Sequence, residues 1–308
     1  MGGDQAGIGS RRCGFASALA GLALLVGQPA SAGWVEDFGA LRIGLISPAG
    51  GRAVPGLSQI TTAYERALGV PVKVLVARDY PALIRAQAEG RVHYAIHSAL
   101  GFAATEHLCG CVEALAAPRG VDGATGLRAV VIARRAVAEG IASAAGARVI
   151  AGPLDAPGPQ SLALAALAGV SGAEPASVVH AASQSAAETA FLAGKAEFLV
   201  GWEPHHPEGR DVVFSGTLAR LRAAATETFE TIWSSAPLTY GPHAVRIDLP
   251  AELRERLGRF LLHVNDQQPD VYQLLEPLRG GGFVMVGNGD YAAARQLAAA
   301  YAAPETER

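Results

Sequence analysis

Leu41-Arg42-Ile43-Gly44-Leu45-Ile46 runs into Ser47-Pro48-Ala49-Gly50-Gly51, and a similar arrangement returns as Ala147-Arg148-Val149-Ile150 leading into Gly152–Gly158. Each reads as a short buried strand followed by a Gly/Pro loop. Downstream of both, an alanine-rich helical stretch stops at a glycine and gives way to another strand. The first instance is Gly90-Arg91-Val92-His93-Tyr94 and the second Gly194-Lys195-Ala196-Glu197-Phe198. Leu41 and Ala147 are 106 positions apart, and Gly90 and Gly194 are 104 apart. Two offsets that agree this closely point to two similar α/β units in tandem.

Between these landmarks the first unit alternates strand and helix. Leu57–Leu68 has helical periodicity and stops at Gly69, a residue suited to a left-handed cap. Val72–Ala77 reads as a second strand, Pro81 opens a helix in its favoured first position, and Val92–Ile96 reads as a third strand. That alternation predicts parallel α/β layers. The apolar run Leu127–Ala133 is expected to carry the chain into the second unit, and Thr228–Trp233 to carry it back. Helices are expected at Pro250–Val264 and near Tyr291–Tyr301, packing on the first unit. The predicted architecture is a two-lobed α/β protein with a two-strand hinge. Lobe 1 is residues 33–130 and 236–308, and lobe 2 is residues 131–235.

At the N-terminus, Arg11 and Arg12 precede an apolar run from Phe15 to Val26. Gln28-Pro29 break the run and Ala30-Ser31-Ala32 follow it, so residues 1–32 read as a secretory signal peptide cleaved after Ala32. The apolar run is too short for a membrane span, which needs about 20 residues. A periplasmic location is therefore expected. The 308-residue chain is 50% hydrophobic and 17% charged with a net charge of -3, a balance that gives nucleic acid no basic face to bind.

The chain also resembles the periplasmic phosphate/phosphite/phosphonate-binding proteins of ABC transporters, over about Leu41 to Tyr301. The resemblance rests on Leu41–Ile46, on Leu68-Gly69-Val70-Pro71-Val72 leading to Arg78-Asp79-Tyr80, and on the helix, glycine and strand of Ala86–Ala95. It continues through Ile232-Trp233-Ser234-Ser235-Ala236-Pro237, Ala244–Pro250 and Gly281-Gly282-Phe283-Val284. It implies a type II periplasmic-binding-protein fold that closes on a small ligand and hands it to a permease in the inner membrane. Of the family's ligand residues, Tyr80 is retained. The hydroxyl-bearing loop of the second lobe matches Asp155-Ala156-Pro157-Gly158, the tyrosine after the third strand matches Phe102, the histidine matches Gln184 and the acidic residue matches Trp202.

Ligand groups in parallel α/β layers come from the loops after strands, where helix N-termini converge. That selects Ser47, Tyr80, His97, Ser98, Asp155, Gln184, Trp202 and Glu203. Tyr80, Phe102 and Trp202 would be aromatic walls, and Asp155 with Glu203 would add negative charge suited to an amine-bearing ligand. The alternative places Phe102 and Trp202 in the core and leaves the acids solvated. Cys109-Gly110-Cys111 reads either as a weak soft-metal or arsenite grip or as a local disulfide. Glu203-Pro204-His205-His206 reads as a surface loop before it reads as a metal site.

No Gly-x-Ser-x-Gly elbow, His-Glu-x-x-His or phosphate loop is present, so no catalytic residue and no cofactor are expected. The expected protein is a monomeric solute-binding protein for ABC-type uptake. The alternatives are a sensor of the same fold that signals to a membrane kinase, and an enzyme built on that fold.

Overall fold

The computed structural model describes residues 39–46, 54–135, 140–153, 158–169, 175, 177–207 and 215–302. The segment 1–32, Ser47 and Asp155 lie outside the described residues. The chain begins with β1 (Leu41–Ile46), α1 (Leu57–Leu68), β2 (Val72–Ala77), α2 (Tyr80–Ala88), β3 (Tyr94–Ile96), α3 (Ala99–Cys109) and β4 (Val112–Gly120). Next come β5 (Gly126–Arg134), β6 (Arg148–Ala151), α4 (Gly158–Ala168), β7 (Ser177–His180), α5 (Gln184–Leu192) and β8 (Phe198–His205). They are followed by α6 (Thr217–Ala224), β9 (Phe229–Ser234) and β10 (Leu238–Thr239). The last section is β11 (His243–Arg246), α7 (Ala251–Gln267), α8 (Pro269–Leu275), β12 (Gly280–Met285) and α9 (Ala292–Ala302).

Two sheets result, one per lobe. The first has the order β12-β4-β11-β3-β1-β2, and the second runs β10-β5-β8-β6-β7 with β9 also paired to β5. In the first, β1 is parallel to β2 and β3, and β11 is antiparallel to β3. In the second, β6 is parallel to β7 and β8, and β5 is antiparallel to β8. The sequence offset therefore has a topological counterpart: β2-β1-β3-β11 in one sheet repeats as β7-β6-β8-β5 in the other. Details repeat too. The His93 amide donates to Arg42 O at 2.8 Å and the Glu197 amide to Arg148 O at 3.1 Å. Both α2 and α5 start on a side-chain cap, Asp79 accepting from the Ala82 amide and Ser183 from the Ala186 amide.

The helices end where chain chemistry dictates. Gly69 takes φ 73°, the left-handed conformation that closes α1 without a Cβ penalty, and its amide donates to Glu65 O. One face of α1 buries Ile60, Ala63, Tyr64 and Leu68, and α7 contributes Leu253, Leu257 and Leu261 to the same core. The second sheet is covered on both sides: Ala129, Val131 and Ala133 of β5 face one cluster, and Val130 and Ile132 face the other.

This arrangement corrects the expected crossings. Leu127–Ala133 and Thr228–Trp233 are largely strands of the second sheet: the first is buried on both faces and makes a central strand, and the second pairs alongside it. The chain passes between the sheets over residues 121–125 and returns over residues 240–242. Leu238 of the second sheet shares a buried cluster with Phe102, Tyr291 and Ala294 of the first lobe, and Leu162 of α4 packs against that cluster.

Candidate functional site

A cavity of about 990 Å³ lies at the C-terminal ends of the first lobe's parallel strands, next to both passages between the lobes. β1 supplies Leu45 and Ile46, β3 supplies Ile96, and α2 supplies Tyr80, Pro81 and Ile84. The second passage contributes Tyr240 and Gly241, while Leu127 and Leu238 come from the edge of the second sheet. Its size is at the upper end of small-molecule sites. The lining described is mostly aliphatic, and its only charged residues are Glu276 and Arg279.

The floor is built around His97. Its ring is buried, and Nε2 lies 2.6 Å from Gln87 Oε1. The Gln87 amide nitrogen donates to Ala244 O, which leaves the amide oxygen as acceptor and makes His97 Nε2 the protonated nitrogen. Nδ1 is then an acceptor, and it has no hydrogen-bond partner. Burial lowers the His97 pKa to about 3, so the ring is neutral at physiological pH. Ser98 follows as the N-cap of α3, its hydroxyl oxygen accepting from the Gly101 amide at 3.0 Å. The positive end of α3 thus faces the cavity through Ser98, Ala99 and Leu100.

The charge in the lining comes from Glu276 and Arg279. Glu276 accepts from His243 Nε2 at 3.3 Å, and His243 Nδ1 pairs with the Tyr94 hydroxyl, itself 2.7 Å from the Tyr64 hydroxyl. The chain is buried from Tyr64 to His243 and reaches the cavity at Glu276. Burial holds both tyrosine pKa values above their ordinary range. Arg279 lies over the Tyr240 ring with its guanidinium carbon 3.7 Å from the centroid.

The sequence-selected residues divide. Tyr80, His97 and Ser98 line the cavity. Phe102 is fully buried against Tyr291, ring centroids 4.9 Å apart, because the inner face of α3 packs on α9. Gln184 donates to Val200 O, Trp202 lies under the Arg220 guanidinium, and Glu203 accepts from Thr231 Oγ1. These three belong to the second lobe, and none is among the described lining of this cavity. Cys109 and Cys111 are joined as a disulfide, which corrects the metal option by removing its thiolates. Among the described residues no group of three or more His, Cys, Asp or Glu is placed to hold a metal, and the His205-His206 pair belongs to no such group. Sequence reasoning missed Gln87, Tyr240, Glu276 and Arg279. Only the Pro277-Leu278-Arg279-Gly280 turn stood as a local signal for any of them.

Comparison with known proteins agrees with the architecture. No curated protein matches the chain. Among solved structures, XAC2383 from Xanthomonas citri bound to chloride ion aligns with TM-score 0.55 at 17% identity, covering 84% of this chain and 96% of that one. PhnD1 from Prochlorococcus marinus (MIT 9301), in complex with methylphosphonate, aligns with TM-score 0.51 at 13% identity, covering 85% and 98%. At these identities the likeness is one of fold. The family model described as "ABC transporter, phosphonate, periplasmic substrate-binding protein" matches residues 53–291, most of the chain. Two α/β lobes with matching strand orders, two passages between them and a cleft at the strand ends thus have a family: the chain belongs to the phosphonate-type periplasmic substrate-binding proteins of ABC transporters.

Proposed function

We propose that this protein captures a small oxyanion-bearing ligand in the cavity beside the two interlobe passages, closes over it, and delivers it to an ABC permease in the inner membrane. The observation that carries the reading is the position of the cavity. It lies at the C-terminal ends of the parallel strands, under the positive end of α3, and against Tyr240 and Gly241 of the second passage, which any hinge motion must bend. Lobe 1 is the part built on the first sheet, lobe 2 the part built on the second, and residues 121–125 and 240–242 form the hinge. The protein acts as a monomer, and it turns nothing over.

The test is ligand-induced stabilisation together with closure. Methylphosphonate, the ligand held by PhnD1, is the first compound to try, followed by phosphite, phosphate and longer phosphonates. A ligand at 100 times its Kd stabilises by about 2.7 kcal/mol, which raises Tm. The same ligand is expected to reduce the radius of gyration in small-angle X-ray scattering. Ala99→Trp, which fills the cavity beside the α3 N-terminus, is expected to abolish both effects. Unchanged affinity in Ala99→Trp would place the ligand elsewhere.

A further inference from the structure

The size and lining of the cavity bear on what kind of oxyanion fits. Leu45, Ile46, Ile84, Ile96, Leu100 and Leu127 present an aliphatic surface, and a compact, fully hydrated anion would leave most of about 990 Å³ without complementary groups. The charge on the walls is equally specific. Glu276 faces His243 and the buried tyrosines behind it. Arg279 makes no ion pair among the described residues; its guanidinium is held flat on Tyr240. Stacking fixes the plane of the group and leaves its N–H edge to bind, the arrangement that favours a planar or forked oxyanion.

Arg279 also spans the two passages. Its backbone carbonyl accepts from the Val121 amide at 3.2 Å, in the first passage between the lobes. Its side chain rests on Tyr240, in the second passage. One residue therefore touches both hinge segments and the cavity.

We infer that the cleft selects an amphiphilic organic anion, with a single carboxylate or phosphonate head on Arg279 and an alkyl or aryl body against the aliphatic wall. The inference rests on the reading of this cavity as the ligand cleft. It makes Arg279 the specificity-determining anchor and chain length the main source of affinity. Each buried methylene should tighten binding about fourfold until the wall is covered.

The experiment is isothermal titration of the full exported chain with two homologous series, n-alkyl carboxylates and n-alkylphosphonates, and with octylamine and octanol as controls. Kd is expected to fall about fourfold per methylene in at least one acid series. The better series identifies the head group. Octanol and octylamine are expected to bind at least tenfold more weakly than the matching acid. Arg279→Gln is expected to remove that tenfold preference while keeping the chain-length dependence. Methylphosphonate binding as tightly as octylphosphonate would overturn the inference and leave the proposed function standing. Octylamine binding more tightly than octanoate would overturn it in favour of Glu276 as anchor. An acid preference that survives in Arg279→Gln would overturn the anchor. Silence from every acid, methylphosphonate included, would sink both this inference and the proposed function.

Discussion

Acidification is expected to destabilise this protein through His97, and the size of the effect follows from its surroundings. The ring is buried with Nε2–H committed to Gln87, and protonating Nδ1 would put a positive charge on a buried ring whose Nδ1 has no hydrogen-bond partner. Its folded pKa is about 3, against 6.5 for an ordinary histidine. A base whose pKa is lowered by folding costs nothing above 6.5, where both states are neutral. Below that the unfolded chain takes up the proton and the native state does not, so stability falls with pH at about 1.4 kcal/mol per unit until pH approaches 3. Between pH 7 and pH 5 the loss from this one residue is about 2 kcal/mol.

Urea denaturation at the two pH values, on wild type and on His97→Gln, isolates it. The glutamine keeps an N–H for Gln87 Oε1 and does not titrate. Other groups, including His93, whose pKa burial and the neighbouring Arg42 lower to about 4, contribute equally to both proteins and cancel. The wild type should lose about 2 kcal/mol more than the variant on going from pH 7 to pH 5. Parallel losses would mean that His97 is protonated without penalty, and the neutral, acceptor-bearing floor of the cavity would have to be abandoned.

Further outcomes follow from the same packing. A Cβ on Gly241 would sit 1.9 Å from His97 O and 2.7 Å from Ser98 Cα, both backbone atoms, so Gly241→Ala must displace the second hinge passage. It is expected to cost about 1–3 kcal/mol in denaturant titration and to weaken ligand binding as well. Phe102→Ala should cost about 3–5 kcal/mol yet leave the affinity of the folded fraction unchanged, since the ring fills the space against Tyr291; a selective loss of affinity would return Phe102 to the ligand wall. Ser98→Ala removes the α3 cap and is expected to lower stability by about 0.5–2 kcal/mol, read from the urea midpoint. With Cys109 and Cys111 joined, arsenite should leave Tm unmoved in the oxidised protein, and a shift under those conditions would contradict the disulfide.

Much of this architecture is local, and local features are legible in a sequence. The cap at Gly69, the helix opened at Pro81, the buried strand Leu41–Ile46, and the 104-residue offset between Gly90 and Gly194 all follow from residue-by-residue preferences for φ, capping and burial. They were enough to call for two α/β units and a cleft. The family resemblance added the type II fold. The two passages were misplaced by a few residues, because Leu127–Ala133 has no alternation and a short apolar run does not say which sheet it joins. The answer depended on which helices cover it, and those lie far along the chain.

The cleft chemistry was beyond such reading for the same reason. Tyr80, His97 and Ser98 could be placed at the strand ends, where they line the cavity, because each follows a strand at a predictable distance. Arg279 takes its setting from Tyr240 and Val121, and Glu276 from a buried line that runs through His243 and Tyr94 to Tyr64, residues 30 to 149 positions apart along its links. Sequence alone determined what depends on backbone geometry and on periodic burial: the elements, their order and the doubling of the lobe. The tertiary structure decided what depends on through-space contact, namely which nitrogen of His97 carries its proton, that Arg279 lies on Tyr240, and that the same residue touches both passages between the sheets.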